Sequence, residues 1–131
     1  MDFEKTDPEL EKIASQVVDS AFKVHKAFGP GLLESAYEAC LVHELKNRNY
    51  KVERQVAVPL FYEGETVDSA FRIDLLIQDQ LIVELKAIEK TLAIHEAQIM
   101  TYLKITNRRL GLLINFNVSV LKNGVRRVVL S

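Results

Sequence analysis

Residues 71–88 read FRIDLLIQDQLIVELKAI, and the fold turns on how this stretch is assigned. Ile73, Leu75, Leu76 and Ile77 form one strand-length apolar run, and Leu81, Ile82, Val83 and Leu85 form another. Between them lies Gln78-Asp79-Gln80, a polar triplet suited to a turn, so the stretch predicts a β-hairpin. Yet Asp74, Glu84 and Lys86 stand inside the two runs. Taking an ionised group out of water costs on the order of several kcal/mol unless it is paired or bound to a metal. Either one face of this hairpin is wet, or its charges hold something.

A turn centred on Asp79 sets Asp74 opposite Glu84. Opposed side chains on one sheet face have Cβ atoms about 4.5–5.5 Å apart. At roughly 5 Å and an effective dielectric of about 20, two carboxylates repel by about 3 kcal/mol. Lys86, two residues beyond Glu84, shares its face and relieves part of that repulsion. A divalent cation relieves it better, and hard cations such as Mg²⁺ prefer oxygen ligands. The alternative is a solvated face bearing Arg72, Asp74, Gln78, Glu84 and Lys86, with Ile73, Leu75, Ile77, Val83 and Leu85 turned inward. Leu76 and Ile82 tell against it, because they would share the wet face. Near-continuous apolar runs mark strands covered on both sides.

Upstream of the hairpin, Val52, Val56, Val58, Leu60 and Tyr62 alternate with Glu53, Gln55 and Ala57, the pattern of a half-exposed strand. Pro59 places that strand at an edge or on a bulge, and Glu63-Gly64 supplies a turn. Two helices precede it. Asp7-Pro8-Glu9 is a helix start, and Leu10, Ile13, Ala14, Val17, Ala21, Val24 and Phe28 recur at helical spacing until Gly29-Pro30-Gly31. The second carries Leu33, Ala36, Tyr37, Cys40, Leu41 and Leu45 on one side and fades at 47–49. Downstream come a helix over 91–106, a strand over 110–116, and a ribbon over 118–130 turning at Asn123-Gly124. The predicted order is α-α-β-β-β-α-β-β: an α/β fold with a mixed sheet flanked by helices. One domain is expected over 1–131, with the helix that ends at residue 28 packed on its core.

The chain has 131 residues, 48% apolar and 27% charged, which is globular composition. Seventeen Lys and Arg against eighteen Asp and Glu leave a net charge of −1, which argues against a generic coat for a polyanion. A local basic patch is still open to it. Lys104, Arg108, Arg109, Lys122, Arg126 and Arg127 read either as ordinary solvated surface or as phosphate contacts flanking a cleft. The lone Cys40 forbids an internal disulfide, fits a reducing compartment, and reads as a small buried hydrophobe. The stretch MDFEKTDPEL is acidic and polar, so no signal peptide is expected, and no apolar run is long enough for a membrane span. A cytoplasmic location follows as the expectation. His25 and His43 take no role, and His95 reads as a satisfied surface or seam histidine rather than a ligand.

Four motifs in order carry a resemblance: GLLESAY (Gly31, Glu34 and Tyr37), RID around Asp74, VELKAI with Glu84 and Lys86, and QIMTYL with Gln98 and Tyr102. From Val24 onward the chain resembles the GxxExxY proteins of the PD-(D/E)XK nuclease superfamily. The resemblance implies a restriction-endonuclease-like fold and Mg²⁺- or Mn²⁺-dependent hydrolysis of phosphodiester bonds in nucleic acid, with DNA the expected partner. It implies that Asp74, Glu84 and the backbone carbonyl of Leu85 hold the metal, and that Lys86 orients or deprotonates water. Glu34 is then an accessory ligand, or else a simple partner of its helix dipole. Gln98 would lie beside the metal site, with Tyr102 supporting it. The competing readings are a catalytically silent nucleic-acid or protein adaptor and an interaction domain with a merely solvated hairpin. So small a nuclease domain has little surface to grip a duplex, so a C₂ homodimer is expected, joined through the N-terminal helix or the final ribbon.

Overall fold

Punctuation residues set the first two helices. The Asp7 carboxylate accepts from the Leu10 N–H at 3.0 Å, and Pro8 opens α1 (Pro8–Phe28). This helix buries Leu10, Ile13, Ala14, Val17, Ala21 and Val24, whereas Phe28, expected on the same face, is 56% exposed where the helix runs out into Gly29. In α2 (Glu34–Asn47), Tyr37, Leu41, Val42 and Leu45 are buried and Cys40 is half-buried. Leu33 is 77% exposed, contrary to expectation, because it precedes the first turn with an extended backbone. The computed structural model describes residues 6–131, without the side chains of 68–70. Residues 1–5, on which part of the N-terminal reading rests, lie outside the described residues.

The strands β1 (Val52–Tyr62), β2 (Glu65–Ile77), β3 (Leu81–Lys86), β4 (Leu110–Asn115) and β5 (Val125–Val129) form one sheet in that spatial order. Only β3 and β4 are parallel, and α3 (Ala93–Thr106) makes the crossover between them. The element order is the expected one. The decisive hairpin has the register a turn at Asp79 dictates: Ile77 pairs with Leu81, Leu76 with Ile82 and Leu75 with Val83. Pro59 sits at a register shift between Val58 and Leu60 on edge strand β1. Glu63 and Gly64 both take positive φ (49° and 82°), as a two-residue hairpin turn demands.

The expected ribbon over 118–130 is not formed. Asn123-Gly124 belongs to a 3₁₀ turn, Leu121–Gly124, that leads into the single strand β5 on the far side of β4. Gly124 is needed for close approach: a Cβ there would collide with the Asn115 carbonyl.

Both sheet faces are covered. On one side α1 and α2 pack over Leu75, Ile77, Leu81, Val83, Leu85 and the β4 residues Leu110, Leu112 and Ile114. On the other, Ile99, Tyr102 and Leu103 of α3 cover Leu76, Ile82, Leu113 and Val128. The solvated-face reading of the hairpin is therefore overturned, since Leu76 and Ile82 are 3% and 0% exposed.

One irregularity positions the site. Val52, Leu75 and Ile77 pack toward α1 and α2, but Val56, Val58 and Ile73 pack toward α3. Within each strand these residues are an even number apart and would normally share a face. The switch occurs at Gln55 and Asp74, the one pair missing from the register between Arg54↔Leu75 and Val56↔Ile73. Gln55 has φ 51°. Beyond this point β2 pairs with β1 alone, so the hairpin leaves the sheet as a two-stranded ribbon.

Candidate active site

The site lies at the fork where β2 parts from β3. Asp74 belongs to neither ladder, and side chains take over its hydrogen bonds. Its N–H donates to Glu84 Oε1 at 3.1 Å, and the Leu85 N–H donates to Asp74 Oδ2 at 2.9 Å. Glu84 is 8% exposed. Burial first, and the Asp74 carboxylate second, push its carboxyl up to about 9, against the opposing pull of Lys86. By itself the protein therefore keeps a proton on Glu84 at neutral pH. The fork is short of positive charge.

Three further groups face this pair. Glu34, the first residue of α2, is raised from its ordinary range by burial, then by Asp74, while Lys86 lowers it. The GLLESAY segment explains its placement. Gly31 takes φ 113°, and the Tyr37 hydroxyl donates to the Gly29 carbonyl at 2.5 Å and accepts from the Leu32 N–H at 3.1 Å. Tyr37 itself stacks on Phe116, rings 4.4 Å apart, which fixes the loop leading into Glu34. Tyr102 of α3 is buried against Phe71, and burial followed by Glu84 and Asp74 raises its hydroxyl. Lys86 ends β3 beside Asn115 of β4.

Gln98 is solvent-exposed one turn before Tyr102, and its side chain bonds to none of the described residues. His95 caps α3, its Nδ1 accepting from the Leu92 N–H at 2.9 Å.

The arginines do not form one flank, a correction to the sequence expectation. Arg108 and Arg109 precede β4 at the opposite end of the sheet, where Arg108 binds Asp79 and Arg109 the Leu130 carbonyl. Arg127 points to the α1 side and pairs with Glu11. Arg126 alone stays near: it pairs with Leu113, which pairs with Glu84, and so lies in that row two strands away.

Three residues escaped the sequence reading. Glu38, 8% exposed, accepts from Arg54 Nε at 3.0 Å and from Gln55 Nε2 at 3.1 Å. Its signal was present, since it follows Glu34 by four and shares its helix face. Gln55 also reaches Asp74 Oδ1 at 3.4 Å. Asn115, 2% exposed, binds both backbone groups of Ile88 and so fixes the chain just after Lys86.

Among the described residues no three His, Cys, Asp or Glu side chains converge as a fully protein-ligated metal would require. The donor set is the Asp74–Glu84 pair, a half-buried carboxyl beside a buried one. That suits Mg²⁺, which commonly takes one or two carboxylates and fills the rest of its shell with water and substrate phosphate. A fork of this kind in a mixed sheet with helices on both faces defines a restriction-endonuclease-like α/β domain. The family model of the PD-(D/E)XK nuclease superfamily matches residues 11–128, and the chain belongs to that superfamily. No curated protein and no solved structure matches it. Nucleases of this superfamily generally use divalent metal ions, and membership implies a nucleic-acid substrate. Among the described residues no helix is long and apolar enough to cross a membrane.

Proposed function

We propose that this protein is a cytoplasmic, divalent-metal-dependent nuclease of the GxxExxY group that hydrolyses phosphodiester bonds, with DNA as its substrate. The observation that carries the reading is the fork: the half-buried Asp74 carboxyl and the buried Glu84 carboxyl face each other, with Lys86 beside them and too little positive charge between them. Asp74, Glu84 and the Leu85 carbonyl would hold Mg²⁺ or Mn²⁺. Such an ion supplies Lewis acidity at a phosphoryl oxygen and lowers the pKa of a coordinated water.

The chain's own residues do the rest. Lys86 orients the attacking water and offsets charge growing on the phosphate. Glu34, at the mouth, holds a second water in place. Tyr102 presents its hydroxyl toward the carboxylate pair, and Gln98, one turn earlier on α3, meets the substrate from solvent. Arg126 binds a neighbouring phosphate and so fixes the position of the strand without reading its sequence. A C₂ homodimer presents two such forks to one duplex. Because α1 spends its apolar face inside the chain and the ribbon is absent, the exposed edge of β5 is the surface we assign to it. Light scattering at high micromolar concentration checks this, and a strict monomer contradicts it.

The decisive test is a set of Mn²⁺-supported digestions of single-stranded, duplex and branched DNA and of RNA, comparing native protein with Glu84→Ala. Cleavage by the native protein alone supports the reading, and the preferred substrate names the nucleic acid. Equal cleavage by both places the activity elsewhere. Cleavage by neither, with nucleic-acid binding retained, makes the protein a silent binding module.

A further inference from the structure

Arg54 and Gln55 are consecutive residues of a β-strand, and both bind Glu38 of α2. In regular β-structure neighbouring side chains point to opposite faces, so one of the two must have a non-β backbone. It is Gln55, with φ 51°, a left-handed conformation that non-glycine residues other than Asn and Asp seldom adopt. The twist turns the Gln55 amide so that Nε2 donates to Glu38 Oε1 at 3.1 Å and to Asp74 Oδ1 at 3.4 Å. Glu38 Oε2 is held in turn by Arg54, at 3.0 Å from Nε and 2.9 Å from Nη2. The Gln55 carbonyl accepts from Arg72 at 3.3 Å. The chain of bonds that runs through the unusual residue ends on the Asp74 carboxylate. Its other oxygen is already held by the Leu85 N–H.

We infer that Gln55 is a positioning residue. Anchored by the Arg54–Glu38 pair, its amide holds in place the Asp74 carboxylate that would, with Glu84, ligate a divalent cation, and the left-handed backbone of β1 delivers that amide. This rests on the metal-dependent nuclease reading of the same site. Strained backbone persists where the surroundings over-determine it, and it gathers at functional sites. Groups that orient metal ligands characteristically change affinity or activity by about 10- to 100-fold when removed.

The positive φ allows a test that separates support of the fold from support of the site. Gln55→Gly keeps the backbone and relieves its strain while deleting the amide. Gln55→Glu keeps the volume but replaces the donor with a third carboxylate. Glu63→Gly, at φ 49° on the tip of the same hairpin, is the matched control. Each is measured for melting temperature, for Mn²⁺ affinity by calorimetry and for cleavage.

Gln55→Gly is expected to melt at or above the native temperature, yet to bind Mn²⁺ and cleave about 10- to 100-fold more weakly. Gln55→Glu, whose added carboxylate attracts the cation but cannot hold Asp74, should still bind Mn²⁺ yet cleave at least about 10-fold more weakly, and Glu63→Gly should lose neither binding nor cleavage. Native affinity and native cleavage in Gln55→Gly overturn the inference, whatever happens to melting, and leave the nuclease reading standing. Absence of Mn²⁺ binding by the native protein overturns both.

Discussion

The two ends of β3 handle charge in opposite ways. At its start, the turn over residues 78–80 carries Asp79, and Arg108 neutralises it with two hydrogen bonds, to the carbonyl at 3.0 Å and to Oδ1 at 2.8 Å. Gln78 completes that end by accepting from the Lys51 N–H at 2.5 Å. At the other end, Asp74 and Glu84 face each other, the ladder opens, and burial raises Glu84 to about 9. One end is paired and exposed and serves the fold. The other sets two carboxyls together with no cation among the described residues paired to either, so that Glu84 is driven toward its neutral form, and there the sheet splits.

The contrast is sharpest for the two basic residues. Lys86→Ala should lower cleavage by at least about a hundredfold, the scale of one positioned proton-transfer or charge-stabilising group. Metal binding should survive, since the lost charge competed with the cation. Arg108→Ala at the opposite end should leave cleavage unchanged in the same assay. Equal losses in the two variants would erase the distinction between the ends.

The next largest effect is on pH. Folding raises Glu84 from 4.5 to about 9, so between those values the metal-free folded protein holds one proton more than the unfolded chain. Its contribution to stability is full below pH 4.5 and drains away as pH rises toward 9. Glu84→Gln should remove that slope, which denaturant titrations across the range will read. The pair Glu11–Arg127, joining α1 to β5, runs the other way. The hydrogen bond from Arg127, the largest cause, draws Glu11 from 4.5 down to about 2. Its stabilisation is present above pH 4.5 and is lost as pH falls toward 2. With both side chains about a quarter exposed, Glu11→Gln should cost about 1 kcal/mol at neutral pH. The smallest effect belongs to Arg108→Ala, at most about 1 kcal/mol in thermal melting, because its partner Asp79 is largely solvated.

What the sequence made readable follows from what is local. Turn chemistry at Asp79 and period-two alternation fixed the hairpin register, and with it the meeting of Asp74 and Glu84. Leu76 and Ile82 announced a second covering layer before any helix was placed on it. The arginines show that nearness in sequence is not nearness in space. Arg126 and Arg127 alternate across a strand, and Arg108 and Arg109 stand at the wrong end of one. Gln55 was unreadable for a different reason. Its alternating context assigns it outward, and only the tertiary pull of Glu38 and Asp74 reveals a backbone that breaks the pattern.

Whether the fork holds a cation can be read in a single experiment. Calorimetric titration of Mn²⁺ into the native protein and Glu84→Ala at neutral pH, in buffers of different ionisation enthalpy, reads both binding and proton release. One equivalent bound by the native protein, with a proton displaced from Glu84 and no binding by the variant, is the predicted result. Equal binding by the two proteins would contradict it.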